Sequence, residues 1–213
     1  MSLRILPFRQ YSDHDVVNLF ALEDGMVLDS TTGTSQGDAG VFVKVSAGNF
    51  DNDPITYQTN NYLGDTSYPF LGTTEMYPQV NLKVTGASSG EKPLGITLFQ
   101  TAKNDENGEK LLYNPTKQNE LQAMLPGQAV PIATKGIFTL SKDALGGGAL
   151  NTSTKIGSGV KIAPETADIG KVTGCLATVS ASFGTIIGTG TRSNVGITTD
   201  QFSGDYIVVK IDC

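Results

Sequence analysis

Few residues in this chain could carry out a reaction. Its one histidine, His14, stands between Asp13 and Asp15 close to the N-terminus. A Ser–His–Asp or Cys–His system needs an imidazole held by a rigid scaffold within hydrogen-bond reach of its nucleophile. A histidine in a terminal segment reads instead as solvent-exposed or interfacial. Transition-metal centres draw on several His and Cys ligands, and one His with two Cys is the whole supply. Hard oxygen donors are more plentiful. Asp51-Asn52-Asp53 and the run Asn104 to Glu109 gather carboxylates and amides in turn-like stretches that could contribute to a calcium shell. Neither run has EF-hand spacing, and such Asx-rich stretches are commonly plain turns. A glycosidase needs two carboxylates facing each other across a cleft. The 21 acidic residues single out no pair, and there is no Trp to line a sugar cleft. A dinucleotide-binding GxGxxG and a P-loop are both absent. Gly188 and Gly190, in GTGTRSN, sit in a β pattern with no helix behind them. The expectation is a protein that is not an enzyme, with no catalytic residues, no cofactor and no metal.

What remains must be read from the elements. With 213 residues the chain can bury one sizeable all-β core. Its 25 glycines favour turns and bulges over helices. Charged residues make up only 17%, so much of the surface is polar without charge. The formal net charge is −6 and no Lys/Arg cluster occurs, which argues against nucleic acid as a partner. No apolar run is long enough to span a membrane. The N-terminus lacks the apolar core of a signal peptide. Cys175 and Cys213 are too few for a disulfide framework, and the chain reads as one made in a cytoplasm.

Residues 1–24 stand apart. Ile5 and Leu6 precede Pro7, and Phe8, Tyr11, Val16, Val17, Leu19, Phe20 and Leu22 follow. Ser12 with Asp15 could cap a short helix, while DVVNLFAL has the β-branched and aromatic residues of a strand. We expect an extended arm that ends in a strand and is buried on its own domain or on a neighbour. Residues 25–213 alternate strands with Gly, Asp and Asn turns. GMVLDS, GVFVKVSAG, PITYQTNNYL, VNLKVTG, PLGITLFQT, QAVPIATKGIFTLS, VTGCLATVS, FGTIIGTGT and DYIVVKID are the strand candidates. In VNLKVTG, Val80, Leu82 and Val84 face one way and Asn81, Lys83 and Thr85 the other. In DYIVVKID both faces are apolar enough to suggest a strand covered on each side. A helix is expected over 114–126, capped by Asn114, opened by Pro115 and ended by Pro126-Gly127, with Leu121, Met124 and Leu125 as its apolar face. Residues 145–170 read as a Gly/Thr-rich loop or a glycine-kinked hairpin. The fold class is therefore all-β: a Gly-rich antiparallel β-barrel or sandwich with one short helix insertion and an extended N-terminal arm.

Several of these segments fall in a familiar order. Pro93-Leu94-Gly95-Ile96 is followed by Pro126-Gly127 to Ile132, then Lys135-Gly136-Ile137-Phe138-Thr139-Leu140. Thr185-Ile186-Ile187-Gly188-Thr189 and Gly204-Asp205 to Ile211 complete the series. Over residues 90–213 this resembles tailed-phage head decoration (cement) proteins with a small β-barrel, from which residues 97–126 and 48–80 depart. The resemblance implies a structural virion protein on the capsid exterior that binds the major capsid protein and reinforces contacts between its subunits. It also allows self-association as a trimer. Docking is expected through Ile5, Leu6, Phe8, Arg9, Tyr11 and Phe20, unless Val16 to Leu22 is simply the first core strand. The alternatives are a tail, neck or fibre protein, or a carbohydrate-binding adhesin using Tyr57, Tyr62, Tyr68 and Tyr77.

Overall fold

The computed structural model describes residues 4–23, 39–48, 82–102, 105, 107–125, 127–148, 150, 154–164, 169–176, 178–193 and 203–213. In chain order, β1 (Val16–Val17) and β2 (Ala21–Leu22) are followed by β3 (Phe42–Gly48), β4 (Leu82–Gly86) and β5 (Gly95–Thr97). An excursion of β6 (Gln100–Thr101), helix α1 (Pro115–Glu120) and β7 (Ala123–Met124) comes next. Then come β8 (Ile132–Ala133), β9 (Lys135–Ser141), β10 (Gly159–Ile162), β11 (Val172–Cys175), β12 (Gly184–Arg192) and β13 (Gly204–Asp212).

The strands form a six-stranded sheet of order β1-β8-β5-β3-β4-β2, a five-stranded sheet of order β11-β10-β12-β13-β9, and the small pair β6-β7. Among the described residues neither large sheet closes on itself, so the architecture is a sandwich and not a barrel. Strand alternation explains the burial. Phe42, Ile96 and Ala133 from the first sheet meet Phe138, Leu140, Val160, Ile186, Ile207 and Val209 from the second in one continuous core. The Phe42 and Phe183 rings lie 5.1 Å apart within it. One residue along each strand, Val43, Leu82, Val84 and Ile132 point to the reverse face of the six-stranded sheet and are buried there with Phe20, Leu22 and Val130. At β5 the neighbouring strand passes so close that a Cβ on Gly95 would collide with the Ala133 carbonyl, which only glycine avoids.

The expected strand QAVPIATKGIFTLS is split between the sheets at Thr134. There the Thr134 N–H and hydroxyl both donate to the Asp15 carbonyl, at 2.9 and 3.0 Å, and its own carbonyl accepts from the Cys213 N–H at 3.0 Å. One corner thus ties both ends of the chain to the crossing point. PLGITLFQT is likewise divided between β5 and β6.

The helix expected over 114–126 is shorter. Asn114 caps it, its side chain accepting from the Lys117 N–H at 3.2 Å, with Pro115 in the first position. It stops at Glu120 because Gln122 adopts φ +49 and turns the chain into β7. The Gln118 side chain then donates to the Ala123 carbonyl and to Gln128. Leu125 joins Ala102, Leu111 and Ala123 in a separate small core. Residues 145–170, expected as a Gly/Thr-rich loop or a glycine-kinked hairpin, contain β10, which forms a hairpin with β11 just beyond them. Finally, β13 is covered on one face only: Ile207, Val209 and Ile211 are buried, whereas Tyr206 and Val208 are half-buried and Lys210 is exposed. The strands expected at 25–30 and 54–63 lie outside the described residues.

Candidate functional site

The outward face of β13 leads to a feature shaped to receive something. The N-terminal segment is extended and runs antiparallel along β9, bridging Ile5 to Leu140 and Gln10 to Ile137. Between those bridges four arm residues, 6 to 9, face only two of β9, so the arm must bulge. Pro7 has no N–H for the ladder, and Phe8 takes a left-handed backbone, φ +72. The bulge is pinned at both ends and in its middle. The Leu6 N–H donates to the Thr139 carbonyl at 2.8 Å, Gln10 and Ile137 exchange bonds at 2.8 and 2.7 Å, and the Thr139 hydroxyl donates to the Phe8 carbonyl at 3.0 Å.

This arrangement separates the six residues expected to dock a partner. Ile5, Leu6 and Phe20 are buried against their own chain, Leu6 with 3% of its surface exposed. Tyr11 is half-buried and stacks on Phe138 at 5.7 Å between ring centres, and the Arg9 guanidinium lies over the Tyr11 ring, 5.9 Å from its centre. Arg9 is exposed, and Phe8 holds 84% of its surface in solvent. Where a separate arm over 1–24 is expected, residues 4–23 touch both sheets: Ile5 and Gln10 bridge to β9 of the five-stranded sheet, and β1 pairs with β8 and β2 with β4 in the six-stranded one.

Beside the bulge lies an open groove of about 630 Å³. The arm from Leu6 to Gln10 forms one wall, Ile137 and Thr139 of β9 with Tyr206 and Val208 of β13 line it further, and Arg192 stands at the end of β12. Gly190 permits this surface, because a Cβ there would come within 2.7 to 2.9 Å of the Tyr206 ring and lift it. Arg9 and Arg192 are the charged groups of the lining, and no carboxylate joins them. Lys210 extends the cationic row along β13. Asp212, the acid of that row, is paired with Lys135 at 3.0 Å. Asp205 belongs to the opposite face and is already engaged. The Thr191 hydroxyl and the Leu150 N–H hold its carboxyl below the usual range.

The residues considered for chemistry lie elsewhere. His14 is exposed in a 3-10 turn over Asp13–Asp15, where the Ser12 hydroxyl accepts from its N–H at 3.3 Å. Asp105 is buried, and its Oδ1 accepts from the N–H groups of Asn107 and Glu109 at 2.8 Å each, closing a turn. Among the described residues no group of His, Cys, Asp and Glu is placed to hold a metal ion. Asn104, Glu106, Asp51-Asn52-Asp53 and the four tyrosines 57, 62, 68 and 77 lie outside the described residues. Burial pushes the Cys213 thiol up to about 12. Among the described residues no helix is long and apolar enough to cross a membrane.

No protein-family model, no curated protein and no solved structure matches the chain. The groove is therefore read on its own geometry. It was beyond sequence reasoning because its lining comes from residues 6–10, 137–139, 192 and 206–208. Only Pro7, a residue that interrupts pairing, hinted at the bulge.

Proposed function

We propose that this chain is a structural binding protein that docks on a larger protein assembly through the outer face of its five-stranded sheet. The assembly we propose is a tailed-phage capsid, with the chain on the exterior binding the major capsid protein. The observation that carries the reading is Phe8. A left-handed backbone costs a non-glycine residue about 1–2 kcal/mol, and leaving a phenylalanine in water forgoes about 1.5–3 kcal/mol of burial. Both losses are offset when a partner covers the ring. The ordered Gly-punctuated segments over 90–213 supply the capsid as the partner, by resemblance.

The test uses shells assembled from the major capsid protein encoded in the same genome. Wild-type chain should co-sediment with the shells in stoichiometric amount, and Phe8→Ser should lose most of that binding while folding normally. Imaging of whole particles should show the chain repeated across the head. A genome with no capsid protein, shells that take up no chain, or density confined to neck or tail would overturn the capsid assignment.

A further inference from the structure

We infer that the groove beside Phe8 receives an extended, acidic segment of the partner, with carboxylates toward Arg9 and Arg192 and an apolar side chain against Ile137 and Val208. This deepens the docking reading above and rests on it. Three observations converge.

The first is charge. The chain carries a net charge of −6, yet the charged side chains of the groove are both arginines, and Lys210 continues the row. The cationic strip attracts a segment of opposite sign, while the net charge of −6 on each copy opposes the close approach of two copies. Arginine also suits carboxylates in particular, since its planar fork can donate two parallel hydrogen bonds.

The second is the apolar surface. Ile137 and Val208 lie on adjacent antiparallel strands and both point outward, with the exposed Phe8 ring beside them. An inorganic anion or a free carboxylate would use the arginines and leave this surface wet. A peptide bearing both acidic and apolar side chains uses all of it.

The third is spacing. Outward side chains on one strand recur every second residue, roughly 7 Å apart. Tyr206, Val208 and Lys210 follow that spacing along β13, and an extended segment presents its own alternate side chains at the same interval. Alternating acidic and apolar residues would place the two kinds of contact in register.

The experiment pans a random peptide library displayed on a carrier against the intact chain, with Arg192→Glu, Arg192→Lys and Phe8→Ser as comparison targets. Arg192 is an exposed strand-end residue, so its reversal leaves the core untouched; circular dichroism and melting confirm folding of each variant. Selected peptides should be rich in Asp and Glu alternating with apolar residues. The best of them should bind Arg192→Glu about tenfold more weakly, bind Arg192→Lys, which keeps the charge and loses the fork, with an affinity between those of wild type and Arg192→Glu, and weaken as salt rises from about 50 to about 500 mM. Absence of binders, binders without acidic enrichment, or equal affinity for Arg192→Glu would overturn the inference. So would dimerisation of the chain through the same face in sedimentation experiments. Shell binding separates the two readings. If Phe8→Ser abolishes it and Arg192→Glu does not, the docking face stands and the acidic occupant falls. If neither variant changes it, both fall.

Discussion

Phe8 combines an exposed aromatic ring with a backbone that asparagine adopts more readily. Phe8→Asn should raise stability by about 1 kcal/mol, seen as a higher melting temperature, and should at the same time lose shell binding. A variant that melts lower would mean that the ring supports the fold. Asp205 gives a pH signature at the same scale. Its carboxyl is held below the ordinary aspartate value of 3.8, first by the Thr191 hydroxyl and then by the Leu150 N–H. A folded pKa below the unfolded one means that the unfolded chain takes up its proton first. The stabilisation is therefore full above 3.8 and fades as pH falls through the folded value. The melting-temperature gap between wild type and Asp205→Asn should accordingly shrink below pH 3.8, and a gap constant with pH would refute the assignment. The thiols yield a third outcome. Cys175 is buried out of reach of a reagent, and the Cys213 thiol, pushed up to about 12, offers little thiolate near neutral pH. Alkylation by iodoacetamide should be slow in the folded chain and rapid in denaturant.

At the scale of elements, Gly95 shows how tightly β5 meets β8. A methyl group there collides with a backbone carbonyl, which cannot rotate aside. Gly95→Ala should destabilise the chain by about 1–3 kcal/mol in a denaturant titration. This is also the scale at which the sequence was most legible. Alternation identified β4, where Leu82 and Val84 are buried while Lys83 and Thr85 are not, and the richness in β formers identified the run of β13, though not that one of its faces is open. The helix start was legible because Asn114 and Pro115 act locally. The helix end was not. Leu121, Met124 and Leu125 have helical spacing, but the positive φ of Gln122 and the hold of Gln118 on Ala123 redirect them into a strand. Strands were joined in the reading where the chain changes sheets, as at Thr134, because both sides of such a corner are rich in β formers. The groove was illegible for a related reason: it exists only after distant segments pair, and a non-glycine residue at φ +72 leaves no mark in composition.

Across the whole molecule, the sandwich core and the excursion over β6, α1 and β7 differ in how much holds them. The excursion's core is Ala102, Leu111, Ala123 and Leu125, and α1 buries none of its residues. Regions with little buried apolar surface open locally before the whole. Amides of residues 116–124 should therefore exchange with deuterium faster than those of β9, β12 and β13; equal protection would mean that the excursion unfolds only with the sandwich. The position of β9 carries a last consequence, for synthesis. It is flanked by residues 4–10 on one side and 204–212 on the other, so a segment made well before it and one made well after it clasp the same strand. While the chain is being made, β9 can gain its early neighbour long before its late one exists. The five-stranded sheet is finished only once residues 204–212 have emerged, so their arrival is the step that seals the core.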